Sequence, residues 1–174
     1  MDERAVRRAI ARMAREIVER NAGTAGLVLV GIHRRGVELA ELLADEITKV
    51  EGQKIPLGTL DITLYRDDLS VIGPRPVIAS SDIPQHIEGR SVVIVDDVCY
   101  TGRTVRAAMD HLADFGRPAR IFLCVLVDRG GRELPIQPDF VGRHFDLTPA
   151  EDVAVLVPAE DGQLGVELRR TEPD

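Results

Sequence analysis

Tryptophan is absent from the 174 residues, aromatic side chains make up 3% of them, and there are two cysteines. So few aromatics leave no material for a large stacking surface. Cys99 and Cys124 have neither metal-ligand spacing nor a disulfide framework around them, which points to a reducing, cytoplasmic setting. No apolar run approaches the ~20 residues that cross a bilayer, and residues 1–20 are too charged for a signal peptide. No membrane partner is expected. Lysine is nearly missing too, occurring only at Lys49 and Lys54. Net positive charge is the last absence. The formal charge is −7, which argues against an indiscriminate nucleic-acid binder.

What is present is an ordinary globular composition, 44% hydrophobic and 29% charged, enough for one domain over residues 1–174 with a sizeable core. The basic groups are almost all Arg. Codon bias would produce that, and so would phosphate recognition, because the guanidinium offers a rigid fork of donors. Charge is also uneven. Residues 1–20 carry six Arg against four acids, and residues 150–174 carry seven acids against two Arg.

Val6, Ile10, Met13 and Ile17 recur at helical spacing, so residues 1–22 are expected to form an amphipathic N-terminal helix. Arg4, Arg8, Arg12 and Arg15 line a different face of it. Continuous apolar runs at 27–32, 91–95 and 121–127 read as strands buried on both faces, and 57–65 reads as a further strand. Helices are expected over 37–50 and 103–115. Residues 61–86 contain a long segment rich in Pro, Asp and Ser, an arm of the kind that serves as a lid or binding loop. Residues 153–157 and 164–168 suggest a terminal hairpin around Asp161-Gly162. Short strands alternating with helices give an α/β fold with a central, mostly parallel sheet and helices on both faces.

The chemistry concentrates in Val92-Val93-Ile94-Val95-Asp96-Asp97-Val98-Cys99-Tyr100-Thr101-Gly102-Arg103-Thr104. Two adjacent carboxylates arrive at the carboxyl end of a parallel strand, where open α/β sheets bind ligands. Neighbouring carboxylates repel, so a cation or a diol is needed to receive them. Small, hydroxyl-bearing residues follow at a helix start, where free N–H groups and the helix dipole favour an anion. Gly102 permits close backbone approach, and Thr101 and Thr104 can donate to phosphate oxygens. A diol acceptor followed by a phosphate cradle describes a ribose-5-phosphate site. A bare strand, N-cap and helix would explain the acids alone but not the whole run.

The run resembles the signature by which type I phosphoribosyltransferases bind 5-phosphoribosyl-1-pyrophosphate (PRPP): hydrophobic strand, paired acids, then Thr-Gly-x-Thr. Gly31-Ile32-His33-Arg34-Arg35-Gly36 is similar to the pyrophosphate loop of the same superfamily, and its Arg pair suits a bidentate clamp. The resemblance implies the type I phosphoribosyltransferase fold with a small hood, here residues 128–150. It implies Arg34, Val95, Asp96, Asp97, Val98, Cys99, Tyr100, Thr101, Gly102, Arg103 and Thr104 as the PRPP and nucleotide site, with Asp96, Asp97 and Arg35 as catalytic groups. Mg²⁺ is expected to accompany PRPP; direct protein ligands to it are not assigned. Tyr65, Arg66 and Asp67 fall in the lid.

Three segments narrow the family. Asp61-Ile62-Thr63-Leu64-Tyr65-Arg66-Asp67-Asp68-Leu69, Tyr100–Thr104, and Val127-Asp128-Arg129-Gly130-Gly131-Arg132-Glu133-Leu134-Pro135-Ile136 resemble motifs of the bacterial PyrR family, pyrimidine-operon attenuators that also act as uracil phosphoribosyltransferases. That resemblance runs from about Val6 to about Gly142. It implies PRPP, uracil and UMP or UTP as ligands, a stem-loop of pyrimidine mRNA as partner, and a homodimer or higher homo-oligomer. It suggests Arg12, Arg15, Arg20, Arg132 and Arg143 for the RNA, and Arg129, Phe140 and Val141 for the base, read by main-chain groups near Val141. The chain departs from the family pattern at Gly131, where His is usual, at Gln137, where a basic residue is usual, and at Ala11, Arg15, Arg34 and Cys99. Pro138–Gly142 with Asp146 also resembles the base-binding hood of hypoxanthine phosphoribosyltransferases, which keeps a purine enzyme without an RNA role as the alternative.

Overall fold

The computed structural model describes residues 1–67, 80–84, 86–148 and 150–170. Residues 68–79 and 85 of the expected arm lie outside them. The elements are α1 (Glu3–Asn21), β1 (Leu27–Ile32), α2 (Arg35–Glu51), β2 (Leu57–Leu60), a 3-10 turn (Thr63–Tyr65), β3 (Ser91–Cys99), α3 (Arg103–Leu112), β4 (Arg120–Asp128), β5 (Phe140–His144), β6 (Glu151–Leu156), α4 (Pro158–Asp161) and β7 (Gly165–Arg170).

The main sheet has the order β2-β1-β3-β4-β5, and every neighbouring pair is parallel. The connection direction reverses between β1 and β3, and a doubly wound sheet of this order opens its ligand crevice at that switch point. The first three apolar runs alternate as sheet residues must. Leu27, Leu29, Val93, Val95, Phe122 and Cys124 pack with α1 and α2 on one side. Val28, Val30, Val92, Ile94, Leu123 and Val125 pack with α3 on the other. Each fully buried aliphatic side chain stabilises the fold by about 1.5–3 kcal/mol.

Helix α1 starts where the Asp2 carboxylate accepts from the Ala5 N–H at 2.7 Å and ends at Ala22 in the left-handed region. Its expected stripe, Val6, Ile10, Met13 and Ile17, is buried against α2 and the sheet. The C-terminal hairpin belongs to the same layer. Strands β6 and β7 pair antiparallel as a separate two-stranded sheet, and Val153, Val155, Val157, Leu164 and Val166 join the core under α1 and α2. Val166 and Met1 exchange main-chain hydrogen bonds, which pins the start of the chain to the hairpin.

Three expectations change. The strand expected over 57–65 stops at Leu60, and a 3-10 turn follows because the Asp61 carboxylate accepts from the Thr63 N–H at 2.9 Å. The strand expected over 91–95 continues to Cys99, since β4 runs on to Asp128 and supplies partners up to Cys99↔Asp128. Part of the expected hood is the edge of the main sheet: β5 pairs parallel with β4, Val125 opposite Val141.

Candidate active site

Extension of β3 places Asp96 and Asp97 within the strand, where successive side chains point to opposite faces. Asp96 is 7% exposed. Burial and the neighbouring Asp97 charge push its carboxyl well above the usual carboxylate range. Its oxygen accepts the Asp97 N–H at 2.9 Å, and Asp97 accepts the Val98 N–H at 2.8 Å. Asp97 is half-buried, and its charge reaches Arg35 on the α2 side.

Arg34 and Arg35 begin α2 directly after β1, and the His33–Arg34 peptide is cis. The β1 loop sits tightly against β3. A Cβ on Gly36 would lie 2.5 Å from the Val95 carbonyl oxygen and 3.2 Å from the Asp96 Cα, so only glycine lets the two loops approach this closely. Arg35 does not hang free. Its Nε and one Nη donate to the Asp161 carboxylate at 3.2 and 2.9 Å. Arg34 reaches Glu160 at 3.5 Å.

Tyr100, Thr101 and Gly102 lead into α3, with Gly102 as its N-cap. Arg66, Asp67, Thr101, Arg103 and Thr104 line a cavity of about 170 Å³ at this helix start. Arg103 serves as a tie here, donating to Asp67 at 2.6 Å and to Glu133 at 2.8 Å. It therefore links the arm to the 129–136 loop. Tyr65 anchors the arm's root by bonding to Asp114 and stacking on His111, with ring centroids 4.2 Å apart. Val95 is buried and Val98 half-buried in β3, and burial pushes the Cys99 thiol up to about 11.

The loop after β4 folds back over Tyr100. Arg132 donates to the Asp128 carboxylate at 2.7 Å, to the Tyr100 carbonyl at 3.0 Å and to the Ile136 carbonyl at 2.9 Å. Its side chain is 18% exposed, so the expectation that it meets RNA is corrected: its donors are used inside the chain. Asp128, buried at the end of β4, is a site residue that the sequence reading left without a role. It was legible only as part of the Val127-Asp128-Arg129 motif. Gly131 has φ +73, and a Cβ there would meet the Tyr100 ring at 2.3 Å. The tyrosine occupies the space that a larger residue would need.

Three more of the base and RNA candidates are engaged within the chain. Phe140 turns its ring into the core against Phe122, at 5.8 Å, and is 5% exposed, so its side chain is not available to a base. Arg129 stacks over Tyr100 at 4.1 Å and pairs with Asp152 at 2.5 Å, which makes it a support of the Tyr100 loop. Arg12, expected on the RNA face, donates to the Val141 and Gly142 carbonyls at 3.0 and 2.7 Å. Val141 lies on the edge strand β5. Arg15 and Arg143 are exposed, and Arg20 sits 5.9 Å from the Phe122 ring centre.

The phosphoribosyl transferase domain family matches residues 2–152. The chain is 56% identical to the Bifunctional protein PyrR of Thermus thermophilus over 167 residues, 96% of this chain and 92% of that one. The chain belongs to the PyrR family of phosphoribosyltransferases. The Bifunctional protein PyrR of Pelotomaculum thermopropionicum is 52% identical over 171 residues, 98% of this chain and 94% of that protein. Among solved structures, the fold is similar to the hypoxanthine phosphoribosyltransferase of Trypanosoma cruzi, with a TM-score of 0.73 at 20% identity over 99% of this chain and 95% of that one. Family membership makes PRPP and a nucleobase the substrates. No helix among the described residues is long and apolar enough to cross a membrane.

Proposed function

We propose that the protein joins uracil to PRPP, forming UMP and releasing pyrophosphate, and that UMP or UTP in the same crevice promotes its binding to a stem-loop in pyrimidine-operon mRNA. The observation that carries the catalytic half is the close approach of the β1 loop to β3, which sets Arg35 near the paired acids, with a cavity at the start of α3 lined by Thr101 and Thr104. Identity of 52–57% to proteins named Bifunctional protein PyrR supports the choice of uracil and the regulatory half. The cytoplasm is the setting these substrates imply, and a homodimer is the assembly we propose.

In the reaction the bond from the anomeric carbon to pyrophosphate breaks and a bond to a uracil nitrogen forms, with loss of that nitrogen's proton. Positive charge grows on the sugar as the leaving group departs. Asp96 and Asp97 accept from the ribose hydroxyls and favour that charge. Thr101, Thr104 and the first N–H groups of α3 hold the 5-phosphate. Arg35 meets the negative charge that builds on pyrophosphate. No group of three or more His, Cys, Asp or Glu side chains suited to a metal occurs among the described residues. A magnesium ion held largely by substrate phosphates and water, with one or two carboxylates, fits that donor set. Asp96 and Asp97 are the residues that would hold it, and it would neutralise pyrophosphate charge. The arm rooted at Tyr65, Arg66 and Asp67 would keep water from PRPP.

Base-dependent pyrophosphate release tests the first half. Release with uracil but not with hypoxanthine or guanine is expected; release with purines alone overturns the uracil reading in favour of a purine enzyme. Electrophoretic retardation of a pyrimidine leader stem-loop tests the second half. A shift strengthened by UMP is expected, and no shift at low salt by catalytically active protein overturns it.

A further inference from the structure

The matched family domain ends at residue 152, yet the chain beyond it touches the pyrophosphate loop at three points. Asp161 binds Arg35 through both carboxylate oxygens at 2.9 and 3.2 Å. Glu160 faces Arg34 at 3.5 Å. The Glu38 carboxylate, in the first turn of α2, accepts the Ala159 N–H at 3.1 Å. These contacts converge on the short turn α4 between β6 and β7. That turn is held in place by the apolar body of the hairpin, where Val153, Val155, Val157, Leu164 and Val166 are buried in the core. Asp161 is also fixed within its own turn, accepting the Val157 N–H at 2.9 Å.

We propose that Asp161 is a positioning residue for PRPP cleavage, holding the Arg35 guanidinium through two bonds so that its remaining donors face the departing pyrophosphate. The proposal rests on the reading of Arg35 as the pyrophosphate clamp. A guanidinium has five N–H donors in a planar fork. Asp161 takes one from Nε and one from an Nη, which leaves three, including the whole of the other Nη. A pairing of this shape fixes the plane of the fork as well as its distance. Arg35 is 38% exposed and Asp161 19%, so the acid is the more enclosed partner and the arginine keeps an open side. The Asp97 charge also acts on Arg35. A long arginine side chain on a loop would otherwise sample many rotamers, and displacement of a reacting contact by about 1 Å can cost about 10²-fold in rate.

The test is steady-state kinetics of the full chain with PRPP and uracil, in a double-mutant cycle of Asp161→Ala and Arg35→Ala. Asp161→Ala is expected to lower kcat about ten-fold, the low end of what losing an orienting partner costs at metal sites. In the Arg35→Ala background the same change is expected to matter by less than about two-fold, because the group it acts through is gone. Asp161→Asn is the second variant. Its remaining oxygen still accepts the Val157 N–H while its amide group opposes the guanidinium, so the melting temperature should hold while kcat falls. Equal losses from Asp161→Ala in both backgrounds would mean that the residue merely supports the fold, and would overturn the proposal. An unchanged or faster Asp161→Ala enzyme would overturn it too, the faster one marking Asp161 as a competitor of pyrophosphate. An Arg35→Ala enzyme of normal rate sinks the clamp reading itself, a result distinct from all of these.

Discussion

The loop after β3 and the loop after β1 face each other across the switch point, but they are held in shape by opposite means. At the end of β3 the supports are the segment itself and the loop that follows β4, from which Arg132 donates to the Tyr100 carbonyl at 3.0 Å. Asp96 caps the Asp97 N–H, Asp97 caps the Val98 N–H, and the Thr101 hydroxyl lies 3.3 Å from the Arg103 N–H. After β1 the supports come from the far end of the chain, with Asp161 standing 126 positions from Arg35. A segment supported by its own residues and the adjoining loop carries most of its geometry with it. A loop held by a distant hairpin depends on the packing that brings the hairpin there. The first arrangement suits the part proposed to bind ribose phosphate in substrate and product alike. The second suits the part that meets a group which must leave.

The largest effect should come from the acids at the end of β3. Replacing both acids, Asp96→Asn with Asp97→Asn, is expected to lower turnover by at least about 10²-fold, with the circular dichroism spectrum unchanged. Near-normal kinetics would remove the acids from the mechanism. Arg35→Ala should come next. It is expected to cost about 2–4 kcal/mol in kcat, while UMP, which lacks pyrophosphate, binds as before in a titration. Weaker UMP binding would erase the division of labour between the loops.

A smaller effect separates the cost of the acids from their use. Burial raises the Asp96 carboxyl above its unfolded value, so the fold is fully stable below the unfolded value and loses stability as pH rises toward the folded one. Asp96→Asn should therefore raise the melting temperature at neutral pH and flatten its decline between acid and neutral pH, even as activity falls. A lower melting temperature at pH 7 would mean that the charge is already compensated. The smallest effects lie outside both loops. Arg12→Ala should cost about 1 kcal/mol of stability through its carbonyl contacts, after allowance for solvent. Arg15→Ala should leave stability unchanged and flatten the salt dependence of RNA binding by roughly one unit per lost phosphate contact. A reversal of those two outcomes would put Arg12, and not Arg15, on the RNA.

The same contrast divides what was legible before the structure. The buried strands, the stripe of α1 and the run from Val92 to Thr104 all depend on contacts between residues near in sequence or on simple alternation of faces. Periodicity and motif spacing report such features directly. The strand end at Cys99 was missed because the acids at 96 and 97 look like loop residues until β4 supplies a paired edge. The arginines at 12 and 132 looked like a free basic surface, since charge in a sequence carries no record of which carbonyls lie within reach.

By itself the sequence determined the segment proposed to hold ribose phosphate, because every group in it is delivered by one strand, one turn and one helix start. Tertiary structure alone decided where Arg35 points. Pro158-Ala159-Glu160-Asp161-Gly162 reads as an ordinary acidic turn, one of many places for surface carboxylates in a chain of net charge −7. Only the burial of Val153, Val155, Val157, Leu164 and Val166 beneath α1 and α2 carries that turn to the mouth of the crevice. Apolar burial has no direction of its own, so which acid it brings to which arginine is set by the packing of the whole layer.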